Sequence, residues 1–319
     1  MTEGRLLYKY RKFDARTLQM LCEHGLHYSN PAKFNDPLDC NLAIYPDLSA
    51  YELIKLYEKL LGPGQAEEFN VAIYNARKEA APYGQNIHLP SDVKDRFKQK
   101  IADLIATVIQ EELNQRGVLS LSGTWESVLM WSHYADEHRG ICIEYDTTEM
   151  PHEYLARVND DGSRAVSASD IMKWKEYGDK EAEQRVFQTH FYSKAPEWRY
   201  EQEWRDIGDK EGKCQSYHIT AVLFGARCEP AVQAAVVRML GSETTVVFRK
   251  VRFEGLSFAL TSDRITAKEI EHTVLFVSEE VNAAREQASG FISLFDDIAI
   301  DMKSFYRDEV RRIVENERP

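Results

Sequence analysis

The sequence predicts an α+β fold built on a mixed sheet, and three observations lead there. Short runs of strand-forming residues alternate with capped helices near both ends of the chain. Between them, Ser49 to Arg116 reads as continuous helix-forming sequence, an insertion between sheet elements. No internal repeat or low-complexity linker divides the 319 residues, a length that allows one large domain or two small ones. The expected organisation is one α+β domain over residues 1–265, with the helical insertion at about 49–116 and a helical C-terminal extension over 266–319 packed on it.

Taken in order, Leu6–Arg11 (LLYKYR) is rich in strand formers. Asp14 can cap a helix carrying Leu18, Leu21 and Cys22 that stops at Gly25. Leu26–Ser29 is a second short strand, followed by the turn-forming run NPAKFNDPLD with prolines at 31 and 37. Ser49-Ala-Tyr-Glu52 is a capping box ahead of Leu53, Ile54, Leu56, Leu60 and Leu61. Gly62-Pro-Gly64 ends that helix. Ala66–Ala80 forms a second, and Ser91-Asp92 opens a third with Val93, Phe97, Ile101, Leu104, Ile105 and Val108 at helical spacing.

The sheet then resumes. Val118–Ser122 is a strand, Glu126–Ala135 a short helix and Gly140–Asp146 a strong strand. A polar helix is expected from Ser169 to Phe187, and strand material at Arg199–Asp206, Tyr217–Phe224 and Thr244–Leu260, with a helix from Glu229 to Leu240 before the last. Beyond Thr266 the pattern is helical to Arg318.

Composition narrows the function classes. The net charge of −12 opposes coating of nucleic acid or of an anionic membrane through the general field. No apolar run reaches the ~18 residues of a spanning helix, and the start MTEGRLLYKY has no apolar segment behind a basic one, so a cytoplasmic protein with no membrane partner is expected. Cys22, Cys40, Cys142, Cys214 and Cys228 are scattered without a C-x-x-C pair, so neither a disulfide framework nor a zinc ribbon is signalled. His133 and Glu137 have the spacing of two metal ligands but lack a third, and no metal is expected. His138, before Arg139-Gly140, reads equally as a cation at a helix C-terminus and as a catalytic group.

Four stretches resemble, in order and spacing, a bacterial family known as domain of unknown function 2971. They are LYKYR with its following helix, FNDP at Phe34–Pro37, LMWSHYADEHRGICIEYD at Leu129–Asp146 and WRYEQEWR at Trp198–Arg205; ITAVLFGARC at Ile219–Cys228 also fits. The pieces are further similar to the split-sheet core of ADP-ribosyltransferases, which hold NAD between two small sheets. That resemblance implies a first-strand arginine on a phosphate (Arg11), a Ser-x-Ser brace (Ser120 and Ser122, with Ser29 as competitor) and a Glu-x-Glu catalytic strand (Glu201 and Glu203). The gap from Arg11 to Ser120 is longer than in those enzymes, no threonine separates the serines, and no Gly-rich phosphate loop is present.

Residues two apart on a strand share a face, so Glu201 and Glu203 are expected to present adjacent carboxylates. One would hydrogen-bond the ribose and stabilise an oxocarbenium-like transition state. The other would accept a proton from the nucleophile, its pKa raised by its neighbour. The bland alternative is a solvated strand, because Arg199, Glu201, Glu203 and Arg205 would all share that face as ion pairs. Arg11 is a fork-shaped donor suited to pyrophosphate, or a surface arginine at a strand end. Tyr10 beside it, and Trp131 and Tyr134 on their helix, are either ring contacts for NAD or core. Asn35 and Asp36 either fix a turn or aim into the pocket.

The expected function is thus an NAD-consuming transferase acting on a macromolecular acceptor, in the manner of an intracellular toxin or phage-defence effector, with an antitoxin or regulator as a further partner. A non-catalytic nucleotide- or protein-binding module is the alternative. A metal-dependent nuclease or hydrolase using Asp36, Asp39 and the paired glutamates is a weaker one.

Overall fold

The computed structural model describes residues 5–23, 25–81, 91–148, 154–214, 218–240 and 245–274. The N-terminal part contains β1 (Leu6–Arg11), α1 (Ala15–Glu23), β2 (Leu26–Tyr28) and β3 (Ala43–Tyr45). Three helices follow: α2 (Ala50–Leu61), α3 (Ala66–Ala80) and α4 (Ser91–Leu113). Next come β4 (Gly117–Ser122), α5 (Val128–Tyr134), β5 (Ile141–Asp146), β6 (Ala156–Arg157) and β7 (Ala165–Ser167). Then α6 (Ala168–Tyr177), α7 (Lys180–Tyr192), β8 (Glu203–Gly208), β9 (Gly212–Cys214) and β10 (His218–Phe224) precede α8 (Pro230–Leu240), β11 (Val247–Phe253), β12 (Leu260–Ile265) and α9 (Ala267–Val274). The fold class is α+β, as expected.

Several elements form for the reasons their residues supply. The Asp14 carboxylate accepts the Thr17 backbone N–H at 2.9 Å and starts α1. The capping box of α2 is complete: Ser49 Oγ accepts the Glu52 N–H, and the Glu52 carboxylate accepts the Ser49 N–H. Where one polar helix was expected from Ser169 to Phe187, two form. Gly178 closes α6 in a left-handed conformation and Asp179 caps α7. The expected strand Thr244–Leu260 is instead one arm and the start of the other in an antiparallel hairpin, β11 and β12, turned around Gly255. The helical tail beyond Val274 lies outside the described residues.

Close packing groups the chain into two compact units. The first comprises Met1–Gly25, Thr124–Glu149 and Ser216–Pro319. Its strands run in the order β12-β11-β10-β5-β1. β10 and β11 are parallel, joined by α8, and the other pairings are antiparallel, so this sheet is mixed. Leu7, Ile143, Val222, Phe224 and Leu240 are among its buried residues. The second unit comprises Leu26–Gly123 and Met150–Gln215. It holds the antiparallel order β4-β8-β6, the antiparallel pair β2–β9 and the parallel pair β3–β7. The helical insertion belongs to this unit. Leu53, Leu56, Ile101 and Ile105 share one apolar core with Val118, Val166, Ile171, Phe191 and Ile207.

Candidate functional site

A buried cluster of charged side chains belongs to the second unit, where two distant sequence motifs meet. FNDPLDC supplies Phe34, Asp36, Asp39 and Cys40, and the run from Lys194 to Arg205 supplies the rest. The local backbone departs from expectation. Arg199–Asp206 is not one strand: Pro196–Glu201 is a 3-10 turn, Gln202 is left-handed (φ 46°), and β8 begins at Glu203. Pro196 suits the first position of that turn and has no N–H to give a strand ladder. Glu201 and Glu203 therefore do not share a strand face. The turn nevertheless brings both carboxylates to one ammonium, Lys194 Nζ, at 2.5 Å and 2.8 Å.

Arg205 is the second cation and is fully buried. Its Nε donates to Glu203 Oε1 at 2.8 Å, and its Nη2 donates to Glu203 Oε2 at 3.0 Å and to Asp39 Oδ2 at 2.6 Å. Its Nη1 donates to the Phe191 carbonyl at 2.8 Å and contacts Cys40 Sγ at 3.3 Å. The guanidinium also lies 5.6 Å from the Phe34 ring centre, and Lys194 Nζ lies 5.1 Å from that of Trp198. Trp198 Nε1 donates to Asp36 Oδ2 at 2.7 Å, tying the two motifs together. Three carboxylates (Asp39, Glu201, Glu203) face two cations, leaving one negative charge.

Electrostatics follow from this packing. Burial by itself would raise the Glu203 carboxyl, but Arg205 and Lys194 override it and hold its pKa at about 2. The neighbour-driven rise expected for paired glutamates is thereby reversed at Glu203, because cations outweigh the other carboxylates. Burial lowers Lys194 less than Glu203 and Glu201 raise it, so it stays protonated. The Cys40 thiol is pushed up to about 12, mainly by burial, and so stays protonated at neutral pH. His190, 2% exposed, is pushed down to about 3 by burial and by Arg205. Two features are unusual: Asp39 Oδ1 and both ring nitrogens of His190 are buried without a hydrogen-bond partner. Asp160 Oδ1 shares that condition.

The remaining expected residues distribute as follows. Ser122 is buried on β4 directly opposite Glu203, and its Oγ donates to the Glu201 carbonyl at 2.7 Å. Ser120 lies opposite Arg205. Ser29 exchanges backbone hydrogen bonds with Val118 at 2.9 Å and 2.8 Å, beside the same strand. Asp36 braces Trp198 and also accepts the Leu38 N–H at 2.8 Å, so it shapes a turn; Asn35 is exposed. Arg199, expected on the glutamate face, is exposed and pairs with Asp161. The solvated-strand alternative fails for Glu201, Glu203 and Arg205, which are all buried.

Arg11, Tyr10, Trp131 and Tyr134 belong to the first unit. Arg11 Nε is buried without a hydrogen-bond partner. Tyr10 donates its hydroxyl to the Thr124 carbonyl at 2.9 Å and meets Trp131 edge-on at 5.2 Å. Trp131 is fully buried, its Nε1 bonded to the Trp125 carbonyl at 2.7 Å, which makes it a core residue with no face open to a ligand. Tyr134 is half-buried against His133. His138 is not a helix-terminal cation: it is buried and left-handed (φ 70°), and burial lowers its pKa. Among the described residues no three of His, Cys, Asp and Glu are arranged to hold a metal ion; Lys194 occupies the centre that Asp39, Glu201 and Glu203 surround.

Sequence reasoning missed Lys194, His190 and the burial of Arg205. For Arg205 the available signal was the alternation of charge with tryptophan in EWRYEQEWR, for which a solvated face was the alternative to a catalytic glutamate pair; Lys194 and His190 lie outside that motif.

A family model described as a protein of unknown function (DUF2971) matches residues 130–205, which include Lys194, Glu201, Glu203 and Arg205. This supports the resemblance drawn from the sequence. No curated protein matches the chain, and no solved structure does.

Proposed function

We propose that the chain is an NAD-consuming, ADP-ribosyltransferase-like enzyme in which the reacting ribose is held against Asp39 and Glu203. The observation that carries this reading is the unfilled acceptor at Asp39 Oδ1, buried beside a carboxylate that stays charged. A buried acceptor without a donor costs about 1–3 kcal/mol, and a ribose hydroxyl is a donor of the right kind. An ionised carboxylate offers about four lone-pair sites, and Glu203 uses three of them on Lys194 and Arg205. One site on Oε1 is left for a second hydroxyl.

The chemistry assigned to Glu203 is electrostatic. As the bond between ribose C1′ and the nicotinamide nitrogen breaks, its electron pair leaves with nicotinamide and positive charge develops on the sugar. The fixed negative charge of Glu203 stabilises that developing charge at no cost of reorganisation. The acceptor's lone pair then bonds to C1′ and its proton passes to solvent. Ser122 supports this arrangement indirectly, by pinning the turn that carries Glu201.

The test is nicotinamide release from NAD by the full chain, alone and with cell extract as acceptor source. Release by the wild type, falling by at least about a hundredfold in Glu203→Gln, is the expected result. Absence of release from the wild type under both conditions overturns the reading. A second reading, a nucleotide-binding module without catalysis, is favoured by the 4% exposure of Glu203 under its two cations. It predicts NAD or ADP-ribose binding with no cleavage.

A further inference from the structure

The hairpin of β11 and β12 in the first unit takes no part in the reading above, and it is unusual in two respects. Its tip carries Leu256 at 103% and Phe258 at 97% of full exposure, with Phe253 at 55% just before it. Leu256 and Phe258 are large apolar side chains left fully open, whereas the Phe253 ring meets His138 edge-on at 5.1 Å. The turn that presents them is ordered. Glu254 N–H donates to the Ala259 carbonyl at 3.1 Å, Ser257 Oγ donates to Glu254 Oε2 at 2.5 Å, and Ala259 N–H donates to Ser257 Oγ at 3.0 Å.

The second peculiarity is charge. In a chain of net −12, this hairpin carries Arg249, Lys250, Arg252 and Arg264 against Glu254 and Asp263. Lys250 is committed internally to the Gly225 and Cys228 carbonyls, at 2.9 Å and 3.1 Å, and Arg252 pairs with Asp263 at 2.5 Å. Arg249 and Arg264 remain. They are exposed, directly opposite one another on neighbouring strands, and without an acidic partner among the described residues. Like charges in that position destabilise a strand pair, so the pair asks for an anion. Alternation places Arg249 and Phe253 on one face of β11, the face from which Arg264 also projects.

We propose that this hairpin docks the protein on an anionic phospholipid surface, with Leu256 and Phe258 entering the acyl boundary and Arg249 and Arg264 meeting the phosphates. Side chains that stand out singly need a medium that closes around them, and a bilayer interface does so without a matching pocket. The opposing charge of the whole chain is screened beyond about 10 Å at 0.1 M salt, whereas the arginine pair acts at contact.

Flotation of the full chain with phosphatidylcholine vesicles, with and without about one-third phosphatidylserine, tests this. Wild type should float with the anionic vesicles only and be released by added salt. L256S/F258S should reduce binding at least tenfold, and R249S/R264S should remove the preference for phosphatidylserine; all four side chains are exposed, so both variants should melt like the wild type. Failure of the wild type to float, equal flotation with neutral vesicles, or wild-type flotation by L256S/F258S each overturns the proposal. So does tighter binding to a DNA oligonucleotide than to the anionic vesicles, which would make nucleic acid the occupant.

Discussion

Arg205 is where charge, hydrogen bonding and burial meet most tightly in the second unit. Its five N–H donors reach Glu203, Asp39, the Phe191 carbonyl and Cys40. Arg205→Met leaves those carboxylates buried with Lys194 alone, so a loss of about 3–5 kcal/mol is expected in urea unfolding. Arg205→Lys should recover little, since one ammonium cannot reproduce the planar fork; recovery to near wild type would show that charge alone matters there. The same centre sets the acid response. His190 has a folded pKa of about 3 against 6.5 in the unfolded chain, so the unfolded state binds more protons between those values and stability falls as pH drops through that window. Glu203, at about 2 against 4.5, adds a second loss below pH 4.5. Lys194 is raised, so its contribution is present below 10.5 and lost as pH rises above it. The urea midpoint should thus be highest near neutrality, and His190→Leu should flatten the decline between about 6.5 and 4.5. Glu201 and Glu203 were legible as a special pair in the sequence. Arg205 was not, because its partner Asp39 lies 166 residues away in the chain and local charge alternation reads the same on a solvated strand.

Elements were legible where their signals are local. The Ser49 capping box and the Ala66–Ala80 helix need only neighbouring residues, and both formed as expected. Ser49→Ala should cost about 1 kcal/mol, read as a shift in the thermal midpoint, because it removes the acceptor for the Glu52 N–H. Elements were misread where long-range packing bends the chain. The 3-10 turn Pro196–Glu201 and left-handed Gln202 serve Lys194, and nothing within WRYEQEWR announces that. The loop after α5 is a stronger case: Asp136, Glu137 and His138 are all left-handed, at φ 49°, 52° and 70°. Three such residues in a row are costly for side chains with a Cβ. Two glycines permit the backbone to close around them: a Cβ on Gly140 would sit 2.2 Å from the Arg11 carbonyl oxygen, and one on Gly225 would sit 2.1 Å from that of His138. Gly140→Ala and Gly225→Ala should each destabilise the first unit strongly, whereas Gly255→Ala, with open space at its Cβ, should not. Equal melting of all three would show that the loop relaxes freely.

At the scale of the molecule, composition alone indicated a chain able to bury a sizeable core without disulfides, and alternating strand and helix signals indicated the α+β class. Neither says which helices cover which strands. The helical insertion illustrates the difference. Amphipathic patterning in α2 and α4 requires a partner face, but the partner's identity emerges only from packing. α2 and α4 face each other and α3, and then continue into Val118 of β4, Val166 of β7, Ile171 of α6, Phe191 of α7 and Ile207 of β8. Polar ties point the same way: Gln110 donates to the Cys40 carbonyl at 2.6 Å and accepts the Leu42 N–H at 2.8 Å, both outside the insertion. A fragment of residues 49–116 would therefore expose Leu53, Ile101 and Ile105 on the faces where those strands and helices belong, and would leave Gln110 without its backbone partners. Conformational entropy costs on the order of 1–2 kcal/mol per ordered residue, and a layer that has lost much of its apolar burial cannot offset it. The excised fragment should show partial helicity by circular dichroism, no cooperative thermal transition, and binding of a hydrophobic dye. A sharp transition matching calorimetric and van't Hoff enthalpies would instead make the insertion a folding unit in its own right.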